Sequence, residues 1–137
     1  MYEVAHDEVN HVRLFSDSTL GFDRITCGFD KTVKFWRSGE LVRCLEHSGG
    51  CYHFDLDETN RLLAVACGEF DSSLFSVFGK DHGTEKVTGS VTVWRLDNFT
   101  KIGDEKIGWT TLVRFNADTT TIIAVKRFSE VYKINLV

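Results

Sequence analysis

Hydrophobic and polar positions alternate in short runs along the chain. Runs rich in Val, Ile, Phe, Thr and Trp are separated roughly every 8–12 residues by clusters of Asp, Ser, Asn and Gly, a pattern typical of antiparallel strands joined by tight turns. Val91 and Val93, for example, alternate with Thr92 and Arg95, which predicts one buried and one solvated face. The pattern predicts an all-β chain without helices. The predicted strands are 9–15, 23–28, 31–37, 40–46, 50–56, 61–67, 90–96, 99–107, 109–115, 120–126 and 129–136.

The same residue types recur about 40 residues apart, which indicates an internal repeat. His6 is followed by His47, and Thr-Cys-Gly at 26–28 is followed by Ala-Cys-Gly at 66–68. The second copy carries extra residues at about 69–88, between its second and third strands. The chain is therefore predicted to contain three units of the same kind. Their approximate ranges are 6–46, 47–105 and 106–137.

The repeat length and one well-matched stretch resemble the WD-repeat β-propeller family. The stretch 25–36 reads Ile-Thr-Cys-Gly-Phe-Asp-Lys-Thr-Val-Lys-Phe-Trp, which is similar to the second and third strands of a typical repeat. The resemblance spans nearly the whole chain and implies antiparallel four-stranded blades of a WD-type β-propeller. Because propeller rings contain at least four blades, about three units imply an incomplete ring.

The resemblance also implies a buried hydrogen-bonded network of a His, a hydroxyl residue, a turn Asp and a Trp. The implied members are His6, Thr26, Asp30, Trp36, His47 and Trp94. In the second unit Ala66 stands at the hydroxyl position and Thr88 at the Asp position, so we expect that network to be interrupted unless Asp71 substitutes. A fully satisfied buried network fixes the register of a blade. We therefore predict no catalytic residue and no enzymatic activity.

The insertion at 69–88 is the feature that the repeat does not explain. The resemblance places it on the face that the family uses for partners, near 47–50 and 105–108. Two interpretations remain open, an extended hairpin that packs on its own blade and a contact surface for a protein or peptide. Aromatic residues flanked by charges are typical interface anchors. The residues predicted for such a surface are Phe70, Phe75, Phe78, Asp81 and His82.

Soft metal ligands cluster at Cys44, His47, Cys51 and His53, a spacing that suits tetrahedral zinc. Adjacent residues of a strand point to opposite faces, however, which separates these side chains. Free cysteine is also an ordinary core residue. We therefore predict no metal and no cofactor, and we keep a small Cys/His metal-binding β domain as an alternative.

Composition and charge limit the classes of function. The chain has 137 residues, 42% of them hydrophobic, and a formal net charge of −4, so it lacks the cationic field that nucleic acid or anionic lipid requires. Its apolar runs are far shorter than the roughly 20 residues that cross a bilayer. The acidic residues near Met1 do not fit a signal peptide. We expect a cytoplasmic or nuclear protein with free thiols, not a secreted or membrane protein.

These observations favour a non-enzymatic scaffold or adaptor that binds a protein or peptide through its blade loops. An incomplete ring leaves apolar faces and strand edges uncovered. We therefore expect either a larger parent ring or self-association through these blade edges. A degenerate propeller fragment without independent function is the remaining alternative.

Overall fold

The computed structural model describes residues 9–14, 20–71, 86–118, 120–127 and 130–136. These ranges contain eleven strands and no helix, which confirms the all-β prediction. None of them holds a helix of the length and apolarity needed to cross a membrane. The strands are β1 (Val9–Leu14), β2 (Arg24–Gly28), β3 (Thr32–Arg37), β4 (Glu40–Glu46), β5 (Gly50–Asp57), β6 (Leu62–Asp71), β7 (Lys86–Arg95), β8 (Thr100–Glu105), β9 (Thr110–Phe115), β10 (Thr121–Lys126) and β11 (Val131–Asn135).

The strands form three antiparallel sheets in which neighbours in sequence are neighbours in space. Sheet 1 contains β1–β4, sheet 2 contains β5–β8, and sheet 3 contains β9–β11. Each sheet lies within one of the three units that the sequence predicts. The first strand of each sheet also carries one extra residue in its pairing with the second, at Asn10, Tyr52 and Thr111 respectively. The three sheets therefore share a β-bulge at the same place as well as a strand order.

Two hydrophobic cores hold the sheets together. The first lies between sheets 1 and 2, and the second lies between sheets 2 and 3. Strand β6 of sheet 2 is consequently buried on both faces, which explains why 63–67 form a continuous apolar run instead of an alternating one. The first core includes Phe22, Ile25, Phe35, Leu45, Phe54, Leu56, Leu63 and Leu96. The second core contains Ala64, Ala66, Val91, Val93, Val113, Ile122, Ala124 and Ile134.

The outer faces of sheets 1 and 3 expose apolar side chains. Leu14 on sheet 1 is 66% exposed, and Val131 on sheet 3 is 65% exposed. Leu14 lies opposite Arg24, on the face of sheet 1 that points away from the first core. Val131 lies opposite Val125, on the face of sheet 3 that points away from the second core. Among the described residues, the sheets do not close into a ring.

The strand pairing corrects the repeat alignment of sheets 1 and 2 by one residue. Counted from Trp36 and Trp94, Thr26 of sheet 1 corresponds to Val65 of sheet 2 and not to Ala66. A shift of one residue moves a strand side chain to the opposite face. Ala66 accordingly lies in the second core, whereas Val65 lies in the first. The 40-residue spacing placed the counterpart of Thr26 on the correct strand of sheet 2 but on the wrong face of that strand.

Gly68 and Gly103 provide a matched test of how closely sheet 3 approaches sheet 2. A methyl group at Gly68 would overlap the indole ring of Trp109, whereas one at Gly103 would meet Val93 at an ordinary distance of 3.4 Å. We expect Gly68→Ala to lower the free energy of unfolding by about 1–3 kcal/mol, because overpacked sites relax only partly. Gly103→Ala should change it by less than about 0.5 kcal/mol. Urea unfolding measures both, and equal midpoints for the two variants would contradict the packing described here.

Candidate functional site

Several turns meet at one end of the three sheets. We call this the loop end and define it by its described residues, 29–31, 47–49, 69–71, 86–89, 106–109 and 127. Backbone hydrogen bonds connect these turns: the amide of His47 donates to the carbonyl of Lys31 at 2.7 Å, and that of Gly108 donates to Gly89 at 3.1 Å. Gly49 lies against Gly68 and Glu69, and the Gly108 bond reaches Gly89. The described ends of the insertion therefore lie beside 47–50 and 105–108, as predicted.

An aromatic row crosses the loop end from sheet 1 to sheet 3. It consists of Phe29, Tyr52, Trp109 and Arg127. The ring centroids of Phe29 and Tyr52 are 5.1 Å apart, and those of Tyr52 and Trp109 are 5.6 Å apart. The Arg127 guanidinium carbon lies 4.4 Å from the centre of the Trp109 ring. Tyr, Trp and Arg are the residue types that most often dominate binding energy at interfaces.

Beside the aromatic row, an open cleft of about 600 Å³ lies along β7 and β8 of sheet 2 and the turn after β4. Acidic and basic side chains are mixed in its lining, and Lys101 and Asp104 form an ion pair at 3.2 Å. Hydroxyl groups supply further hydrogen-bonding capacity. The cleft therefore presents groups of both charge signs together with hydroxyl groups. Its lining residues include Glu46, His47, Ser48, Glu69, Ser90, Thr92, Trp94, Lys101, Asp104 and Lys106.

A hydrogen-bonded chain in sheet 2 lines the inner side of this cleft. The Trp94 indole N–H donates to Thr92 Oγ1 at 2.9 Å, and Thr92 Oγ1 lies 2.9 Å from His47 Nε2. His47 Nδ1 lies 3.3 Å from the carbonyl oxygen of Leu45. A carbonyl only accepts, so the Leu45 contact requires the proton on Nδ1. In that tautomer the Thr92 hydroxyl donates to Nε2 while it accepts from Trp94.

The prediction that this second network lacks its hydroxyl is wrong, because a different residue supplies it. The part of the prediction that concerns the Asp position, where Thr88 stands, remains a prediction, since the side chain of Asp71 lies outside the described residues. Ala66 points into the second core, and Thr88 is exposed, with its hydroxyl 3.4 Å from the carbonyl of Glu69. Thr92 lies directly opposite Val65, so the hydroxyl has moved from one strand to the next while staying on the same face. The sequence held a signal for this, since Thr92 stands two residues before Trp94.

In sheet 1, the corresponding tryptophan and hydroxyl also meet. The Trp36 indole N–H donates to Thr26 Oγ1 at 3.0 Å, and both residues are buried. Asp30 lies in the turn between β2 and β3, where its Oδ1 accepts from the Thr32 hydroxyl at 2.8 Å. Its other oxygen lies 3.8 Å from the Lys34 ammonium. The structure thus brings Thr26 and Trp36 together and makes Asp30 a turn-stabilising residue.

Several predicted site residues lie outside the described residues. These are His6, Phe75, Phe78, Asp81 and His82, and the side chain of Phe70. The described ends of the insertion continue the β6–β7 hairpin, with Glu69 opposite Thr88 and Asp71 opposite Lys86. At these positions the insertion lengthens the hairpin. The contact surface predicted for the insertion at 69–88 stays a prediction.

The structure rearranges the Cys/His group that the sequence suggested. Cys44 is exposed on β4, and His53 lies beyond the bulge at Tyr52, where its ring contacts His11. In their place, Cys67 joins His47 and Cys51. Hydrogen bonding to the Cys67 thiol and burial raise the pKa of the Cys51 thiol well above its usual range. Sequence spacing missed Cys67 because it belongs to the neighbouring strand.

A second cluster of polar groups connects the first strands of the three sheets. The rings of His11 on β1 and His53 on β5 have centroids 4.2 Å apart. The amide of Val113 on β9 donates to His53 Nδ1 at 3.3 Å, and that of Phe115 donates to Asp55 at 2.7 Å. Burial lowers the pKa of both imidazoles. The folded chain therefore favours the neutral form of both histidines.

Comparison with known protein-family models finds no match to this chain, and comparison with curated proteins finds none either. Its function must therefore be argued from the geometry described above.

The two histidines make folding stability dependent on pH. Their folded pKa values lie below the ordinary value of 6.5, so the unfolded chain takes up protons that the folded chain excludes. Stability is therefore complete above about pH 6.5 and falls as the pH drops below it. Urea midpoints between about pH 8 and about pH 5 should show this loss, and His53→Gln should reduce its slope. An identical slope in the variant would contradict the assignment.

Proposed function

We propose that this chain is a non-enzymatic interaction module, a segment of a WD-type β-propeller that binds a protein or peptide through its loop end. The propeller assignment is supported by three antiparallel sheets with a common strand order and a common bulge. The Trp–Thr hydrogen bonds in two of the sheets support it further. A sheet with a hydrophobic core on each side, as sheet 2 has, is in the environment of a blade between two neighbours.

The aromatic row is the observation that carries the proposed binding role. Its members come from all three sheets and contact one another before any partner is present. A preformed surface loses little side-chain entropy on binding. Phe29 at one end is 41% exposed, so it offers apolar area to a partner. The neighbouring cleft adds polar groups that select the orientation of the partner.

Two substitutions at the loop end test the binding role. We expect Phe29→Ala and Lys106→Glu each to weaken binding at least about fivefold, since a residue that dominates an interface contributes more than about 1 kcal/mol. Tyr132→Ala is the matched control, because Tyr132 is 42% exposed but lies on β11, outside the loop end. Proteins captured by the wild-type chain are identified by mass spectrometry, and their affinities for each variant are then measured.

The result depends on the variants remaining folded, which equal urea midpoints establish. Loss of binding in Phe29→Ala and Lys106→Glu, with retention in Tyr132→Ala, is the expected outcome. Equal binding by all four proteins, or no specific capture by the wild type, would exclude the loop end as the interface.

We also propose that the chain associates through the outer faces of sheets 1 and 3. Both faces repeat the type of surface that is buried in the two internal cores, and both expose apolar side chains. A second copy, or further blades of a longer parent chain, would bury them. Such head-to-tail contact continues the stacking already present between sheets 1, 2 and 3.

Light scattering tests the association. The wild-type chain should show a mass larger than 15.6 kDa that rises with concentration. Leu14→Glu and Val131→Glu should each lower that mass, because they place a charge on one of the two outer faces. Ile102→Glu is the control, since Ile102 is 49% exposed on β8 of sheet 2. A monomeric wild-type chain at all concentrations would contradict this proposal.

A further inference from the structure

Three metal-ligating side chains converge between the turn after β4 and the first two strands of sheet 2. We call His47, Cys51 and Cys67 the thiol–imidazole cluster. One ligand atom from each lies within 4.8 Å of the other two. Both thiols are buried, Cys51 with 0% and Cys67 with 1% of its surface exposed. The cluster is separate from the aromatic row, and the inference below does not depend on partner binding.

The backbone fixes the two thiols relative to each other. Cys51 and Cys67 lie directly opposite in the β5–β6 pair, an arrangement that brings side chains of neighbouring strands together on one face. The turn before β5 brings His47 to the same place, where the His47 amide bonds to Lys31 and the ring contacts Thr92. Strand pairing and the turn therefore position the three ligands independently of any ion.

We propose that His47, Cys51 and Cys67 bind one thiophilic metal ion, with Zn²⁺ as the reference ion. Zinc takes thiolate sulfur at about 2.3 Å and imidazole nitrogen at about 2.0–2.1 Å. Ligand atoms around a tetrahedral ion are consequently about 3.4–3.8 Å apart. The ligand atoms of the three residues are at most 4.8 Å apart. Side-chain shifts of about 1 Å would shorten these distances to the values around zinc, without movement of a strand.

Three protein ligands leave one position of a tetrahedral ion open. The cleft lies next to this position, because His47 lines the cleft and so does Ser90, which lies opposite Cys67 in the β6–β7 pair, whereas the two buried thiols do not line it. Water or a small anion from the cleft would complete the coordination. A three-ligand set with an exchangeable fourth position differs from the closed four-ligand set of most structural zinc sites.

The surroundings of His47 fit a metal ligand. Its two ring nitrogens face different partners, Thr92 Oγ1 at 2.9 Å and the Leu45 carbonyl at 3.3 Å. Whichever nitrogen binds the ion, the other keeps a hydrogen bond that orients the ring. Metal-binding histidines almost always have such an orienting contact.

Charge balance also favours a divalent ion. Two thiolates neutralise Zn²⁺ within a buried site, where an uncompensated charge is costly. Zinc binds thiolate and not thiol, so the ion must displace a proton from each cysteine when it binds. Metal affinity should therefore increase with pH, by up to about 100-fold per pH unit if both thiols release a proton.

Cobalt and zinc titrations of the reduced, metal-free chain test the site. We expect one equivalent of Co²⁺ to bind and to give a thiolate-to-cobalt charge-transfer band, which Zn²⁺ then displaces. Cys51→Ser and Cys67→Ser should each abolish the band and weaken Zn²⁺ binding more than about 100-fold, since loss of an orienting contact alone costs 10–100-fold. Cys44→Ser is the matched control, because Cys44 is an exposed thiol outside the cluster.

X-ray absorption at the zinc edge of the loaded wild-type chain keeps the test independent of how the variants fold. Two sulfur and two nitrogen or oxygen neighbours are expected. A shell of only nitrogen and oxygen would overturn the proposal. So would a charge-transfer band that survives in both Cys51→Ser and Cys67→Ser, a band lost in Cys44→Ser, or a wild-type chain that binds no ion.

Discussion

Burial of β6, the second strand of sheet 2, on both faces is the constraint on which the rest of the structure depends. The residues at 63–67 alternate between the first core and the second, so each of them is enclosed whichever way it points. No position in this stretch is open to solvent, and a polar side chain there would need a buried partner. The apolar run in β6 and the small residues Ala64, Ala66 and Gly68 are the consequence, because sheet 3 approaches closely.

The same constraint accounts for the position of the hydroxyl in the second network. Sheet 1 places the hydroxyl on β2, at Thr26, whereas sheet 2 places an apolar residue at the corresponding Val65 and the hydroxyl on β7, at Thr92. In both sheets the tryptophan indole reaches the hydroxyl at about the same distance. What is preserved is the pairing of donor and acceptor on one face. A comparison of residues at fixed spacing cannot detect an exchange between paired strands.

The sequence predicts much of the fold and less of the site, for physical reasons. Alternation and turn residues depend on the local chain, so all eleven strands could be predicted. The largest errors are at the insertion, where β6 ends at Asp71 and not at 67 and β7 begins at Lys86 and not at 90, because the hairpin continues beyond the repeat pattern. The aromatic row could not, because Tyr52 and Trp109 meet only after the bulge in β5 and the close approach of sheet 3 at Gly68. Cys67 was missed for a related reason. Its nearness to Cys51 comes from strand pairing, whereas ligand motifs describe spacing along one segment.

His47 connects the proposals that concern the cleft and the cluster. His47 lines the cleft, and it is also the imidazole member of the thiol–imidazole cluster. A partner group in the cleft and a metal ion in the cluster would therefore act on the same side chain. Thermodynamic linkage then requires that each change the affinity for the other by the same factor. An anionic group of the partner that completes the coordination of the ion would raise both affinities. A group that displaces the imidazole from the ion would lower both.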